Sequence, residues 1–579
     1  MAPTVLLKLR AAMPRRNENM TRRTLITLLL TPVLALAANP KLAPDFADRA
    51  SGDTVSVIVH YKVQPQSRHN RMAARLGGRL KRSLEIVNST VYEVSASALE
   101  SLADDPDVEY ISPDRPVQAM MDYAEPTVNA NIALQYGWDG TGVTVAVIDS
   151  GIMDVHPDLF DSSGKSRVVY SEVFNPTVGA DTWDRYGHGN HVSGILGGNG
   201  AMSSGSGYTH KFLGIAPKVK FVNLRVLDGT GVSTDSMVIA AIQRAIALKS
   251  TYNIRIINLS LGRPVFESYT KDPLCQAVEQ AWKAGIVVVV AAGNEGRNNA
   301  YATDGYGTIT APGNDPYVIT VGAMKDMKTI SRADDQVASY SSKGPTLFDH
   351  VVKPDIMAPG NRIIAAEPAA LYLTNVFPGN RVPQGYYMTG NSSALSPYYF
   401  TLSGTSMATP MVSGAAALLL QKQPSLTPDQ VKARLMKTAS KAFPVSTSAT
   451  DPVTGTVYTD YYDIFTIGAG YLDVWAALND TTVATQAALS PTVSFDSATG
   501  TVSLVNAANV VWGTNVVWGT NVVWGTNVVW GTNVVWGTNV VWGTSTLQGF
   551  NVVWGTNVVW GTSTETQGEA TSLSINGEN

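Results

Sequence analysis

The sequence predicts an α/β protein built on a doubly wound parallel sheet, with a small α+β unit before it and a repetitive tail after it. Three observations carry this expectation. Short runs of Val and Ile recur through residues 122–480, at Val143–Ile148, Val219–Val226, Ile254–Asn258, Ile286–Ala291 and Val318–Val321. Near-continuous hydrophobicity of this kind marks strands covered on both faces, as in a parallel sheet. Between the runs lie helical stretches, Thr234–Ala247, Pro273–Ala284 and the Ala/Leu-rich Ser406–Gln421, and strand–helix alternation is the mark of crossover connections. Finally, 44% of the 579 residues are hydrophobic and 15% charged, against about 25% charged in a typical domain. That balance excludes a disordered chain, which needs low hydrophobicity and high net charge.

Residues 1–38 read as a secretory signal whose own start is Met20. Arg22 and Arg23 precede an apolar run, Leu25–Leu36, and Ala35-Leu36-Ala37 has the small-x-small form of a cleavage site. The adjacent arginines leave Sec and twin-arginine export both open. The run is shorter than the ~20 residues of a membrane span, so an exported, extracellular chain without a transmembrane segment is expected. Residues 46–118 form a separate α+β unit. Val55–Tyr61, Ile86–Val94 and Val108–Ile111 have strand patterns, Ser67–Leu76 has a helical rhythm, and a short helix follows Ser97. Residues 481–508 read as a linker and 563–579 as a polar tail.

Between these, residues 509–562 hold Asn-Val-Val-Trp-Gly-Thr eight times, six copies in tandem and two more after Ser545–Phe550. An even period puts the same side chains of every copy on one face of an extended chain. Gly-Thr-Asn adds a turn signal per copy, so stacked six-residue coils are one arrangement open to it. The repeats read as a duplicated spacer, or as a surface-attachment or self-association platform. An exported surface-binding or assembly protein with the tail as its functional part is therefore the alternative to an enzyme.

Lys+Arg is 42 and Asp+Glu 46, a formal net charge of −4, which advertises no nucleic-acid partner. The single cysteine, Cys275, excludes an intrachain disulfide framework and a cysteine-based zinc site, and reads as a small buried hydrophobe.

Three segments carry chemistry. Val145–Gly151 puts Asp149 at the carboxyl end of a buried strand, where open α/β sheets place their crevice. In His188-Gly189-Asn190-His191-Val192-Ser193-Gly194 a histidine opens a helix beside glycines. His188 and His191 share a helix face, but the third ligand of a metal motif is missing. Gly404-Thr405-Ser406-Met407-Ala408-Thr409-Pro410 places Ser406 where a helix N-terminus offers free N–H groups to a developing oxyanion, although a serine there can also be an N-cap.

In the chain order Asp, His, Ser these segments define one of the convergent acyl-transfer triads, and the sequence resembles the subtilisin-like serine proteases over residues 122–480. The resemblance implies a subtilisin-like fold and an endopeptidase in which Ser406 is the nucleophile, His188 the base and Asp149 its orienting carboxylate, with no cofactor needed for the chemistry. It implies an oxyanion hole from the Asn294 amide and the Ser406 N–H, through Ala291-Ala292-Gly293-Asn294. It also implies substrate-binding edges at Ser260-Leu261-Gly262 and Gly229-Thr230-Gly231, with Ala292 and Gly293 beside them. Thr310 is placed at the pocket floor. Gly214–Pro217 and Met357–Gly360 match scaffold signatures. Residues 46–118 resemble the family's ferredoxin-like inhibitory propeptide, removed by self-cleavage within 117–125. Asp158 matches a calcium ligand, although the loop Gly197–Phe212 does not match the calcium loop. Asn190 stands where the family usually has threonine. The expected partners are protein or peptide substrates and the chain's own propeptide, and a monomer is expected.

Overall fold

Hydrophobic alternation and glycine-marked turns resolve into two separate units, residues 1–118 and 119–579. The computed structural model describes residues 39–43, 46, 52–84, 88–113, 123–298, 303–390, 392–451, 454–496, 501–505, 577–578 and four short strands between 516 and 537. The signal segment 1–38, the last repeat copies and nearly all of the polar tail lie outside them.

In the first unit, β1 (Thr54–Tyr61), β2 (Arg79–Leu84), β3 (Ser89–Ser95) and β4 (Val108–Pro113) form an antiparallel sheet in the order β2-β3-β1-β4. Helices Ser67–Arg75 and Leu99–Ala103 make the two crossovers, which is the ferredoxin-like β-α-β-β-α-β plan. Val55, Val57, Val59 and Tyr61 alternate inward and pack with Ala73, Leu99 and Leu102. The sequence pattern missed β2. Its residues, Arg-Leu-Lys-Arg-Ser-Leu, bury nothing, because a sheet edge is protected by charge rather than by hydrophobicity.

The second unit is built on β5 (Thr144–Asp149), β6 (Val168–Val173), β7 (Lys220–Arg225), β8 (Ile254–Leu259), β9 (Val287–Ala291), β10 (Ile319–Lys325), β11 (Gln336–Val337) and β12 (Ile356–Pro359). Their order is β11-β10-β9-β8-β5-β7-β6, with β12 also on β10, and every pairing is parallel except β10–β11. The chain builds β6 and β7 on one side of β5 and then crosses to build β8, β9 and β10 on the other. The switch point, where such sheets open a crevice, falls between the carboxyl ends of β5 and β8. Helix Thr405–Lys422 packs on the sheet, and every residue from Thr405 to Leu420 is buried except Ser406. A stretch apolar all round is a central helix, and its one accessible position near the start is the serine.

A three-stranded antiparallel sheet of Ile363–Ala366, Leu395–Leu402 and Arg381–Pro383 lies outside the predicted pattern. Tyr399 of this sheet and Tyr387, at the end of the short helix Gln384–Tyr387, pack with Phe212. Residues 481–508, read as a linker, instead contain a hairpin of Thr492–Asp496 with Thr501–Val505. Val493 and Val502 are buried in the main core. In the repeats, Val516–Trp518, Val522–Trp524, Asn527–Trp530 and Val534–Gly537 pair antiparallel as a meander. This antiparallel pairing differs from stacked coils, which would need parallel strands. Among the described residues no helix is long and apolar enough to cross a membrane.

Candidate active site

The carboxyl end of β5 delivers Asp149 fully buried, and its Oδ1 lies 2.8 Å from His188 Nδ1. The same oxygen accepts from the Ser150 N–H at 2.7 Å. The Ser150 hydroxyl in turn accepts from the Gly189 N–H at 2.9 Å, tying strand end to helix start. Gly189 is required there: a Cβ would sit 2.3 Å from the Gly151 carbonyl and 3.2 Å from Asp149 Oδ1. The His188 helix is capped by Asp184, whose carboxylate accepts from the N–H groups of Tyr186, Gly187 and Asn190. The sequence reading missed both Ser150 and Asp184.

Burial pushes the His188 imidazole down, but the charge and hydrogen bond of Asp149, with Asp184 behind, more than offset it, so its pKa is raised above 6.5. Asp184 is itself raised, chiefly by burial. His191 behaves oppositely. Its Nε2 lies 3.1 Å from the carbonyls of both Ile363 and Phe400, and burial lowers its pKa to about 3. It is a neutral donor that ties the lobe to the helix, so the two histidines do not converge on a metal. Asn190 likewise bridges segments, accepting from Met153 N–H and donating to the Ala366 carbonyl, each at 3.0 Å.

At the other wall, the N-cap of the serine helix is Gly404 (φ 139°), and Ser406 lies within its first turn rather than capping it. The Ser406 hydroxyl donates to the Ser260 carbonyl at 3.1 Å, and the Ser260 hydroxyl donates to the Ser406 carbonyl at 2.8 Å. Pro410 leaves the Ser406 carbonyl without its usual helical donor. Residue 410 would normally donate to the carbonyl four residues back, and proline has no N–H to give. Asn294 follows the end of β9. Its Oδ1 accepts from the Thr405 N–H at 2.9 Å and hydroxyl at 3.0 Å, which fixes the amide orientation and leaves Nδ2 on the opposite side. Thr405 is thus a positioning residue that the sequence reading did not single out.

His188, Ser406, Asn294, Ser260, Leu261 and Gly262 line one cleft of about 730 Å³. Of the second expected edge only Gly231 reaches it. Gly229 and Thr230 form a turn rather than a strand, in which Asp228 Oδ1 accepts from the N–H groups of Thr230 and Val232. Ala292 is buried behind the cleft, and Thr310 sits between Gly262 and Gly293. A Cβ on Gly262 would lie 2.6 Å from Thr310 Oγ1, and one on Gly293 2.7 Å from Thr310 Cγ2.

Asp158 is buried, with Oδ1 accepting from Met202 N–H at 2.9 Å and Oδ2 from the Tyr399 hydroxyl at 2.8 Å. The Arg167 guanidinium donates to its carbonyl. Calcium gathers about six to eight oxygen ligands, and donors and a cation are not such a set, so the residues around Asp158 do not fit a calcium ion. Cys275 is buried, and burial raises its thiol pKa, consistent with a packing role.

A buried carboxylate orienting a histidine, beside a helix-borne serine and a fixed amide, is the equipment of acyl transfer. The sequence matches the subtilase family over residues 140–461. It is 36% identical to serine protease AprX of Bacillus subtilis over 401 residues, 67% of this chain and 83% of that protein. To subtilisin E of the same organism it is 34% identical over 367 residues, 63% of this chain and 78% of that one. To a subtilisin of Bacillus pumilus it is 37% identical over 304 residues, 52% and 86% respectively. The chain belongs to the subtilase family, and it is a subtilisin-type serine endopeptidase.

Proposed function

We propose that this endopeptidase works through Asp149, His188 and Ser406, and that it is exported and matures by cutting away its own residues up to the stretch before Ala124. The observation that carries the reading is the 2.8 Å bond between His188 and a fully buried Asp149, in the cleft that also receives Ser406 and Asn294. Peptide enters extended along Ser260–Gly262. The Ser406 hydroxyl leaves the Ser260 carbonyl, gives its proton to His188 Nε2 and attacks the scissile carbonyl. Nδ1–H stays on Asp149, which stabilises the imidazolium without taking the proton. Asn294 Nδ2 and the Ser406 N–H hold the oxyanion. His188 then protonates the leaving amine, and water repeats the sequence to release the acyl group.

The ferredoxin-like plan of the first unit supports its role as an inhibitory propeptide. Residues 124–127 support a cut ahead of them rather than at Glu125: all four are buried, and burial pushes the Glu125 carboxyl up to about 8. The signal-like segment 1–38 supports export.

Two substitutions probe the cleft. Asn294→Ala should lower kcat by roughly 10²–10³ with little change in KM, the loss typical of one oxyanion donor; an unchanged kcat in steady-state assays would remove Asn294 from this role. Thr310→Gly should open the space between Gly262 and Gly293. In a peptide library it should raise kcat/KM for large P1 side chains about tenfold relative to small ones, and an unaltered profile counts against Thr310 as the floor. The reading as a whole is tested by a fluorophosphonate followed by peptide mapping. The adduct is expected on Ser406, together with an intact mass starting ahead of Ala124; an adduct elsewhere, or none on a folded chain, overturns it.

A further inference from the structure

At the edge of the catalytic unit, Gly577 and Glu578 occupy a charged pocket. Glu578 Oε1 lies 3.0 Å from Arg297 Nη2 and Oε2 lies 3.0 Å from Lys325 Nζ, while the Ser339 hydroxyl donates to Oε1. The side chains of Arg297, Lys325 and Glu578 are only 7%, 5% and 4% exposed. The peptide backbone is held as well, since Glu578 N–H donates to Asn361 Oδ1 at 2.9 Å and Asn361 Nδ2 donates to the Glu578 carbonyl at 3.0 Å. Arg297 is set in place independently of Glu578, by Asp451 at 2.9 Å, by the Ser339 hydroxyl at 2.6 Å and by the Tyr458 ring 4.6 Å away.

The site also selects the residue before the glutamate. Gly577 has φ 72°, and a Cβ there would lie 2.4 Å from Ser403 Oγ and 2.6 Å from Arg362 Cγ. Glu578 sets one carboxylate against both buried cations, Arg297 and Lys325, and opposite charges brought together offset part of the cost of burial away from water. Asn361 follows Gly360, whose carbonyl accepts from Gly404 N–H at 2.8 Å, so the pocket adjoins the turn that carries Ser406.

We propose that Arg297, Lys325, Ser339 and Asn361 form a binding site for a Gly-Glu dipeptide, and that its occupant is Gly577–Glu578 of the same chain. The hairpin ending at Val505 is rooted in the core through Val493 and Val502. The chain is therefore held on the catalytic unit both before the first hexapeptide copy, at Val502, and after the last, at Gly577–Glu578. A second Gly-Glu pair, Gly568-Glu569, provides an internal control.

The test is disulfide trapping in the full chain carrying Ser406→Ala, since Cys275, the natural thiol, is buried. Arg362→Cys with Asn576→Cys, which keeps the docked glycine, should cross-link at least about tenfold faster than Arg362→Cys with Gln567→Cys, the matching position before Gly568, because a docked pair meets at far higher effective concentration. Adding Lys325→Glu should bring the fast pair down to the control rate, and adding Glu578→Lys to that should restore it. Equal rates for the two pairs, or a fast pair indifferent to Lys325→Glu, overturn the proposal. A separate measurement leaves the glycine in place: Glu578→Lys, but not Glu569→Lys, should speed hydrogen exchange of the 325–339 segment about tenfold; equal exchange in the two variants overturns it also.

Discussion

Alanine at Ser406 or at His188 is expected to cut kcat by about 10⁶, and the double variant should lose little more. The two groups work as one device. Without the base, the hydroxyl is a weak nucleophile resting on the Ser260 carbonyl; without the hydroxyl, the imidazole has no proton to move. The size of the loss is that of related proteases. The non-additivity follows from the arrangement itself, with both groups in one cleft. Some turnover above that of water should survive, since Asn294 and the peptide-binding wall remain. Single-turnover assays on a peptide ester, with circular dichroism as a check on folding, separate this from collapse. If the losses simply multiplied, the residues would not share a step.

Asp149→Asn is expected to cost about 10⁴ in kcat while leaving the fold intact. An amide can offer its N–H to Nδ1, which turns the imidazole into the tautomer whose Nε2 carries the proton and cannot accept another. The variant should also displace the pH profile. His188 acts as a base only when neutral, and its pKa is raised, so the ascending limb of kcat/KM should lie above pH 6.5 in the wild type. Burial lowers that pKa and Asp149 raises it; asparagine removes the raising charge and keeps the burial, so the limb should move to lower pH. A limb that stays in place would mean that the titrating group is not His188.

Much of this candidate site could be read from the chain, because the residues proposed to bear the reaction recur together in a recognisable order. An aspartate closing a run of Val and Ile, or a serine opening a helix as apolar as Thr405–Leu420, has a bland explanation when taken alone; the chain order Asp, His, Ser is what made the three legible together. Asp184, Ser150 and Thr405 were harder to see. They do not line the cleft, and each is an ordinary capping or turn residue until the fold brings it against the start of the His188 helix or against Asn294. The same physics divides the fold. Strands buried on both faces, such as Val287–Ala291, declared themselves. The edge strand Arg79–Leu84 and the half-buried Val168–Val173 did not, because a strand facing water carries no hydrophobic signature. Gly229 and Thr230 form a turn where a strand edge was expected, because resemblance transfers sequence, not the local turn that Asp228 imposes.

The hairpin of Thr492–Val505 decides where the protease can be divided. The family match stops at residue 461 and the sequence texture at about 480, yet Val493 and Val502 lie in the same core as β5 and β10. Trimming the chain at either apparent border would strip the cover from that core and leave an aggregation-prone face on an otherwise complete catalyst. An autonomous catalytic piece of this chain therefore runs at least through Val505.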